Sequence, residues 1–296
     1  MKKKMSEWMN PVLIKEYQWR MRKKTTPWII FSYLVGLGVL IFFTILFNSP
    51  ELFRSVDSRI VLSTNANLLN PLSYFQLCLV AFVLPAITAG SISMEREKQT
   101  LSLLLVTTLS SKRIIWGKWF PAVSFMLLLV FSTLPLYMLI YSFGGISLGT
   151  VFNVFLHLLV TMLFLSSVGI FCSTVIKRTA VATVVTYLVV MLWGVGSVIL
   201  AIMLSSILEL MFDAFFNPIS VMPILLKIFA ALHPAVSMAM ALDLQAVGKV
   251  FGDSMLLYYG LYLAFYLLLA IMLLRGSAYF LLPKRDQQAE SAAEGK

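Results

Sequence analysis

The sequence predicts an all-α polytopic membrane protein with six transmembrane helices. Hydrophobic residues make up 60% of the chain and charged residues only 12%, whereas a soluble domain carries roughly 25% charged residues. Long apolar stretches recur, and the first, residues 28–47, contains no charged side chain. At about 1.5 Å rise per residue this stretch reaches about 30 Å, the thickness of a bilayer's hydrocarbon core. A helix is required there because lipid offers the backbone no hydrogen-bond partner.

The apolar stretches place the six spans and their orientation. We expect spans at about residues 28–47, 71–93, 119–143, 151–176, 179–204 and 254–274. Pro85 and Pro135 should kink the second and third spans. Of the 23 lysines and arginines, 19 lie in the N-terminal segment, the connection after span two, the turn after span four and the tail. The positive-inside rule therefore predicts a multi-pass protein of the cytoplasmic membrane with both termini in the cytoplasm.

The N-terminal segment, residues 1–27, precedes the first span. Asn10 is a good N-cap and Pro11 suits the first helical position. Apolar residues then recur every four positions. These residues are Met9, Leu13, Tyr17 and Met21. The pattern favours an amphipathic helix lying in the cytoplasmic membrane interface. A basic, disordered leader is the alternative.

The remaining segments divide around the transmembrane domain, residues 28–274. Residues 205–253 form the longest external segment, which Pro218, Pro223 and Pro234 cut into short apolar runs. Such runs are too short to span, so we expect short re-entrant or interfacial helices before helix six. The cytoplasmic tail, residues 275–296, is polar after Pro283, as disordered segments are.

The connector between spans two and three, residues 94–118, has the most distinctive composition. It starts with alternating charges at positions 95–98, and Leu101, Leu104 and Leu105 follow at helical spacing. Ser110 or Ser111 can cap a second short helix over 112–116. A short helix with an acidic start and a leucine face suits docking on another protein. A solvated connector whose leucines pack on the neighbouring spans fits equally well.

The connector resembles the loop after the second span in the membrane subunits of ATP-binding-cassette (ABC) exporters of the type-2 permease architecture, called ABC-2. That loop runs roughly Glu-basic-Glu-x-Gly-Thr-Leu-x-x-Leu-Leu-x-Thr-Pro-x-Ser and ends in Ile-x-x-Gly-Lys. The matching positions are Glu95, Glu97, Thr100, Leu101, Leu104, Leu105, Thr107, Ser110, Ile114, Gly117 and Lys118. The chain departs at Gln99, where glycine is usual, and at Thr108, where proline is usual.

The resemblance implies a permease subunit of an ATP-driven exporter. The connector would be a coupling helix that docks on a separate ABC ATPase subunit. The face carried over from the family consists of Glu95, Glu97, Thr100, Leu101, Leu104 and Leu105. The N-terminal helix would brace the same subunit, and a second permease, identical or similar, would complete a dimer. This chain would bind no cofactor and would not be an enzyme, since ATP and Mg would sit on the partner ATPase. The sequence contains no G-x-x-x-x-G-K-[ST] phosphate loop, which agrees with that division.

Other candidate residues favour simpler interpretations. Residues 145–149 match G-x-S-x-G, with His157 downstream, but a hydrolase needs a strand-to-helix elbow and a carboxylate as well. His157 is an ionisable group inside a span, and both a packing role and substrate contact are open to it. His233 lies in an external turn with too few ligands for a metal. We therefore predict no catalytic and no metal-binding residue, and we leave the substrate-binding residues unassigned.

Two other function classes stay open. An ion-coupled secondary transporter usually carries charged residues inside its spans, and the predicted spans have none. A non-transporting scaffold or sensory subunit associated with an ATPase would share the same surfaces. Membrane lipids are partners in every case. Nucleic acid is not expected, because the net charge of +10 is concentrated beside the membrane.

Overall fold

The computed structural model describes residues 25–48, 66–101, 110–142, 147–197, 199, 203 and 222–281. Every regular element in this part of the chain is helical. The predicted interfacial helix, with Met9, Leu13, Tyr17 and Met21, lies outside the described residues. Leu104, Leu105 and the end of the tail, residues 282–296, also lie outside them.

Eleven labelled helices follow one another along the described chain. They are α1 (Thr25–Asn48), α2 (Ala66–Thr88), α3 (Ser93–Glu97), α4 (Ser111–Ser132), α5 (Leu134–Ser142), α6 (Leu148–Val175), α7 (Thr179–Met191), α8 (Met222–Leu232), α9 (Pro234–Ala241), α10 (Gln245–Phe251) and α11 (Met255–Leu281). A π-helical turn, Leu192–Gly196, continues α7, and a 3-10 turn, Gly252–Ser254, leads into α11.

Among the described residues, six stretches are long and apolar enough to cross a membrane, as the sequence predicts. They are Thr26–Thr44, Leu68–Glu97, Ser111–Ser142, Leu148–Val175, Thr179–Gly196 and Val247–Leu281. The second stretch ends later, and the third begins earlier, than the apolar runs predicted. The separate short helix expected over 112–116 is wrong, because α4 begins at Ser111 and continues through that segment. Gly117 lies inside α4 at a buried position and does not interrupt the helix.

Helix α6 forms the centre of the bundle. It packs against α2, α4, α7, α9 and α11, and its whole middle section is buried. Leu158 on α6 joins Leu72 and Leu84 of α2 and Tyr262 of α11 in the larger buried cluster. By contrast, α1 and α7 expose most of their apolar side chains. These two helices are therefore peripheral in the single chain.

Gly169 lets α6 and α2 approach each other closely. A Cβ at this position would overlap Thr88 Oγ1 and would lie 2.7 Å from Thr88 Cβ and 3.3 Å from the Ala89 nitrogen. Thr88 is held in place because its hydroxyl donates to the Leu84 carbonyl at 2.8 Å. The position therefore admits only a residue without a side chain.

A buried polar network joins α2 to the third span. Tyr137 donates to Gln76 Oε1 at 2.7 Å, and Gln76 Nε2 donates to Thr133 Oγ1 at 3.1 Å. The Tyr137 hydroxyl also lies 3.2 Å from Ser73 Oγ. An amide side chain such as that of Gln76 can lie within a span because its polar atoms find hydrogen-bond partners inside the protein. Thr133 separates α4 from α5, two residues before Pro135, whereas α2 continues past Pro85; the kinks predicted at these prolines stay predictions.

Three short helices, α8, α9 and α10, precede the long helix α11, and the sixth membrane-spanning stretch begins within α10. The two that we call the hairpin, α8 and α9, occupy Met222–Ala241 and meet at His233. The hairpin packs against α2, α6 and α11. Short helices were predicted for this segment, and their placement at the membrane surface stays a prediction.

Candidate functional site

The short helix α3 begins the connector and is held at its N-terminus by a side chain from α6. Ser173 Oγ accepts the backbone N–H groups of Ile92 at 2.8 Å and Ser93 at 3.0 Å. The first N–H groups of a helix have no partner within it, and Ile92 at the cap position supplies no side-chain bond. Ser173 therefore performs the capping role from a different span.

The charged side chains of α3 reach the turn between α6 and α7. Arg96 Nη2 donates to the Thr174 carbonyl at 3.0 Å, which satisfies a group at the C-terminal end of α6. Glu97 accepts the Thr179 N–H at 2.9 Å and the Thr179 hydroxyl at 2.7 Å. Thr179 is the first residue of α7, so Glu97 caps this helix with a carboxylate, the charge that a helix N-terminus favours.

Glu95 connects α3 to the third span. Its Oε1 lies 2.6 Å from Lys118 Nζ on α4, and the side-chain exposures of Lys118 and Glu95 are 4% and 24%. Glu95 Oε2 is buried without a hydrogen-bond partner. A lysine buried this deeply requires a compensating charge. The pair therefore fastens the start of the connector to α4.

Leu101 packs inward at the end of the described connector. It belongs to a second buried cluster together with Ile92, Ile114 and residues of α11 such as Leu274 and Leu281. The chain is helical again at Thr100 and Leu101, and the Thr100 hydroxyl donates to the Glu95 carbonyl at 3.2 Å. The connector thus contacts or bonds to spans three, four, five and six.

Gln99 adopts a left-handed backbone conformation between these two helical pieces. Its φ is +57°, a region in which glycine carries no steric cost and most other residues carry about 1–2 kcal/mol. This is the position at which the resembling loops have glycine. The backbone conformation at position 99 is therefore one that favours glycine, although the residue in this chain is glutamine.

The six residues predicted for the docking face fall into three groups. Leu101 is buried and Glu95 is half-buried, and both bind within this chain. Glu97 and Thr100 are exposed. Leu104 and Leu105 lie outside the described residues. The exposed surface of α3 and the following turn also includes Met94 and Lys98.

Three partner residues of the connector were absent from the prediction. Ser173, Thr174 and Thr179 lie about 80 residues away in sequence from the groups that they bind. The polar run Ser173–Thr174 at the end of an otherwise apolar span was the available signal. Nothing local indicated which segment these residues would meet.

Basic side chains surround the connector at this end of the bundle. Those exposed are Lys98, Lys112, Arg113, Lys177, Arg178 and Arg275. They come from four separate chain segments, which the contacts of α3 bring together. The positive charge predicted for a single membrane side is therefore gathered at one end of the described structure.

The G-x-S-x-G match has a structural explanation. Ser147 is the N-cap of α6 and accepts the Thr150 N–H at 3.0 Å. His157 lies on the same helix, fully buried between tyrosines, with its ring 4.8 Å from that of Tyr262 and nearly parallel to it. Neither of its ring nitrogens has a hydrogen-bond partner within the described residues.

His233 holds the hairpin turn. Its Nδ1 accepts the N–H groups of Ala235 at 3.1 Å and Val236 at 3.4 Å, and its Nε2 lies 2.9 Å from the Gly194 carbonyl. Because Nδ1 accepts, the proton must be on Nε2, which donates to Gly194. Burial lowers the pKa of His233, and the hydrogen bond to Gly194 opposes this effect.

Within the described residues, no group of three or more histidine, cysteine, aspartate or glutamate side chains could hold a metal ion. Around α3, Arg96 and Glu97 bind backbone groups at the turn between α6 and α7, and Glu95 pairs with Lys118. No protein-family model matches the chain, and no curated protein matches it either.

Proposed function

We propose that this chain is the membrane-spanning permease subunit of an ABC-2-type exporter in the cytoplasmic membrane. Separate ABC ATPase subunits would bind beneath the connector, and a second permease would complete the transporter. ATP hydrolysis by the ATPases would move the connector and thereby switch the spans between conformations. The termini would lie in the cytoplasm, on the side of the basic residues.

The observation that carries the proposal is the attachment of α3 to several spans at once. Glu95 is paired with Lys118 on α4, Ser173 of α6 caps α3, and Glu97 caps α7. A displacement of α3 must therefore move these helices or break charge-assisted bonds. Met94, Lys98 and Thr100 are exposed beside these attachments, which leaves a surface for a partner.

The left-handed turn at Gln99 supports the resemblance independently of the side chains that suggested it. A sequence match at charged and leucine positions says nothing about backbone angles. The φ of +57° at this position is the conformation that glycine favours. Gln99 therefore departs from the family pattern in its side chain, while its backbone conformation is the one that glycine favours.

The location of charge disfavours the ion-coupled alternative. Asp, Glu, Lys and Arg within the six described spans lie near their ends, as Glu95, Lys118 and Arg275 do. A proton- or sodium-coupled transporter usually places such groups near the bilayer midplane. His157 is the ionisable imidazole in the middle of the described α6, and it packs against tyrosine rings.

Co-purification tests the proposed partner. The tagged chain is co-expressed with candidate ABC ATPases from its source genome and isolated in nanodiscs. We expect one ATPase to co-purify and the complex to hydrolyse ATP. Thr100→Lys and Leu104→Asp should abolish co-purification, whereas Lys249→Asp, at the other end of the bundle, should not. Retention of the ATPase by both connector variants would exclude this docking face.

Reconstitution separates a transporter from a scaffold. Proteoliposomes containing the complex are loaded with fluorescent lipid, peptide or small-drug probes, and export is followed with ATP or with a non-hydrolysable analogue. ATP-dependent movement of any probe supports the permease function. An intact, ATP-hydrolysing complex that moves none of these classes would favour the non-transporting scaffold or sensory subunit.

A further inference from the structure

The turn that joins the two hairpin helices is a meeting point of four spans. We call residues Leu232–Ala235 the junction. Tyr266 of α11 donates to the Leu232 carbonyl at 2.8 Å, and Tyr74 of α2 donates to the Ala235 carbonyl at 3.0 Å. Helix α6 packs against α9, whose first residue is Pro234. His233 itself bonds to the fifth span at Gly194. The junction therefore provides hydrogen bonds that attach the hairpin to the bundle.

His233 makes two different kinds of bond from one ring. Nδ1 caps α9 by accepting the Ala235 and Val236 N–H groups. Nε2 donates to Gly194 in the π-helical turn Leu192–Gly196, and π-helical turns frequently occur at functional sites. Only the neutral Nε2–H tautomer can make both bonds, because each nitrogen must have a defined role.

We propose that His233 is a proton-controlled latch, which fastens the hairpin to the fifth span when neutral and releases the start of α9 when it takes up a second proton. The second proton binds Nδ1, so this nitrogen becomes a donor. The Ala235 and Val236 N–H groups then face another N–H group and lose their acceptor. A positive ring is also unfavourable at a helix N-terminus. The protonated ring must therefore leave the cap.

The described helices packed around the ring carry no acidic side chain that would hold its charged form in place. Of their titratable side chains, Tyr74 on α2 and Tyr266 on α11 bond to the junction itself. The others are Cys78 on α2, His157 and Cys172 on α6, Lys227 on α8, and Tyr258, Tyr259, Tyr262, Arg275 and Tyr279 on α11, whereas α9 has none. The fifth span contributes Tyr187, whose hydroxyl bonds to the Phe82 carbonyl instead. None of these helices contains an aspartate or glutamate. A buried histidine without a carboxylate neighbour keeps its neutral form until the solution is acidic.

The direction of the pH effect follows from burial. Histidine has an ordinary pKa of about 6.5, and burial lowers that of His233 in the folded chain. The neutral latch is therefore complete at pH 7.5. As the pH falls below about 6.5, the form with the ring released from the cap binds the proton more readily, so the cap on α9 weakens progressively. Since only 8% of the residue's surface is exposed, the proton enters when the turn opens.

Hydrogen exchange measured on the purified chain in nanodiscs tests the latch without any ATPase. Exchange of the Ala235 and Val236 amides is compared at pH 7.5 and 5.0 after correction for intrinsic exchange rates. We expect protection to fall at least about tenfold at pH 5.0 in the wild-type chain. Peptides from the middle of α6 and α11 should keep their protection, because they report on the fold as a whole. Equal corrected protection of the two amides at both pH values would overturn the proposal.

Two variants at position 233 separate capping from titration. His233→Asn keeps a side-chain acceptor suited to an N-cap but cannot take up a proton, so its exchange should be independent of pH. His233→Ala should exchange fast at both pH values. If His233→Asn responded to pH as the wild type does, another group would be the sensor and the latch would be refuted. Because no partner is required, failure here leaves the ATPase experiments unaffected, and the reverse also holds.

Discussion

The ion pair between Glu95 and Lys118 offers a test of the connector's attachment by a double-mutant cycle. We consider Glu95→Met, Lys118→Met and the double variant, because methionine is unbranched and of similar length. At the observed 2.6 Å separation, the attraction of two unit charges is about 6 kcal/mol for an effective dielectric constant of 20. Desolvation of several kcal/mol per ion offsets much of this attraction.

Because Glu95 and Lys118 are buried to different extents, the two single substitutions should lower the unfolding free energy by different amounts. Glu95→Met leaves an ammonium that is 4% exposed without its carboxylate, and this loss should cost about 3–5 kcal/mol of unfolding free energy. Lys118→Met leaves a carboxylate that is 24% exposed and partly accessible to water, so we expect about 1–2 kcal/mol. The double variant removes both charges and should lie within about 1 kcal/mol of the wild type.

Equilibrium unfolding in mixed detergent micelles measures these free energies. The three variants should give a coupling energy of about 3–7 kcal/mol, with the double variant more stable than either single one. Lys112→Met, an exposed lysine on the same helix, serves as the control and should change stability by less than about 0.5 kcal/mol. Additive effects of the two substitutions would refute the pairing. A larger loss for Lys118→Met than for Glu95→Met would refute the argument from burial.

Three further substitutions test the contacts on which the fold and the connector depend. Gly169→Ala should lower the unfolding free energy by about 1–3 kcal/mol because its methyl overlaps Thr88, whereas Gly36→Ala, with open space around its Cβ, should be neutral or stabilising in a thermal melt. Gln99→Gly should raise the unfolding free energy by about 0.5–1 kcal/mol, and Gln99→Val should lower it by about 1 kcal/mol. The reason is that only glycine accepts a φ of +57° without strain. Equal melting temperatures of the two variants would contradict this prediction. Ser173→Ala should cost about 1–3 kcal/mol and should raise hydrogen exchange at the start of α3, a change that Ser173→Thr should largely avoid.

Run length and charge were sufficient to predict the six spans. A lipid environment requires a helix wherever an apolar run is long enough, so the number of spans follows from the sequence without knowledge of packing. The residues at which the spans begin and end cannot be predicted from run length and charge in the same way. The second candidate span continues to Glu97 and the third starts at Ser111, and Glu95 and Lys118 within these stretches form an ion pair. An apolar run stops at the first charge, whereas a helix stops where its backbone loses its partners.

The contacts of the connector could not be predicted from the sequence either, and the reason differs from the one that applies to the span ends. Ile92 and Ser173 are separated by 81 residues, and Glu97 and Thr179 by 82. Capping rules look for a partner within a few residues, so a cap supplied by another span gives no local pattern. The capping role of His233 was not predicted either, since histidine is not among the preferred N-cap residues. Its role depends on Gly194, 39 residues earlier in the chain.

The distribution of contacts along the connector explains why stability and partner binding should respond to different substitutions. A helix that transmits force must be stiff where it joins the spans, because a loose attachment would absorb the displacement. The Glu95, Arg96 and Glu97 side chains provide this stiffness, each bonded to a different helix or helix end. A partner can then bind only the groups that remain exposed, which include Met94 and Thr100. Substitutions of the three charged residues should therefore alter exchange and stability in the isolated chain. Thr100→Lys removes only an exposed hydrogen bond to the Glu95 carbonyl, so it should lower the unfolding free energy by less than about 1 kcal/mol and act mainly on the complex. A larger loss of stability in the Thr100→Lys chain would show that the exposed and attached surfaces are not separate.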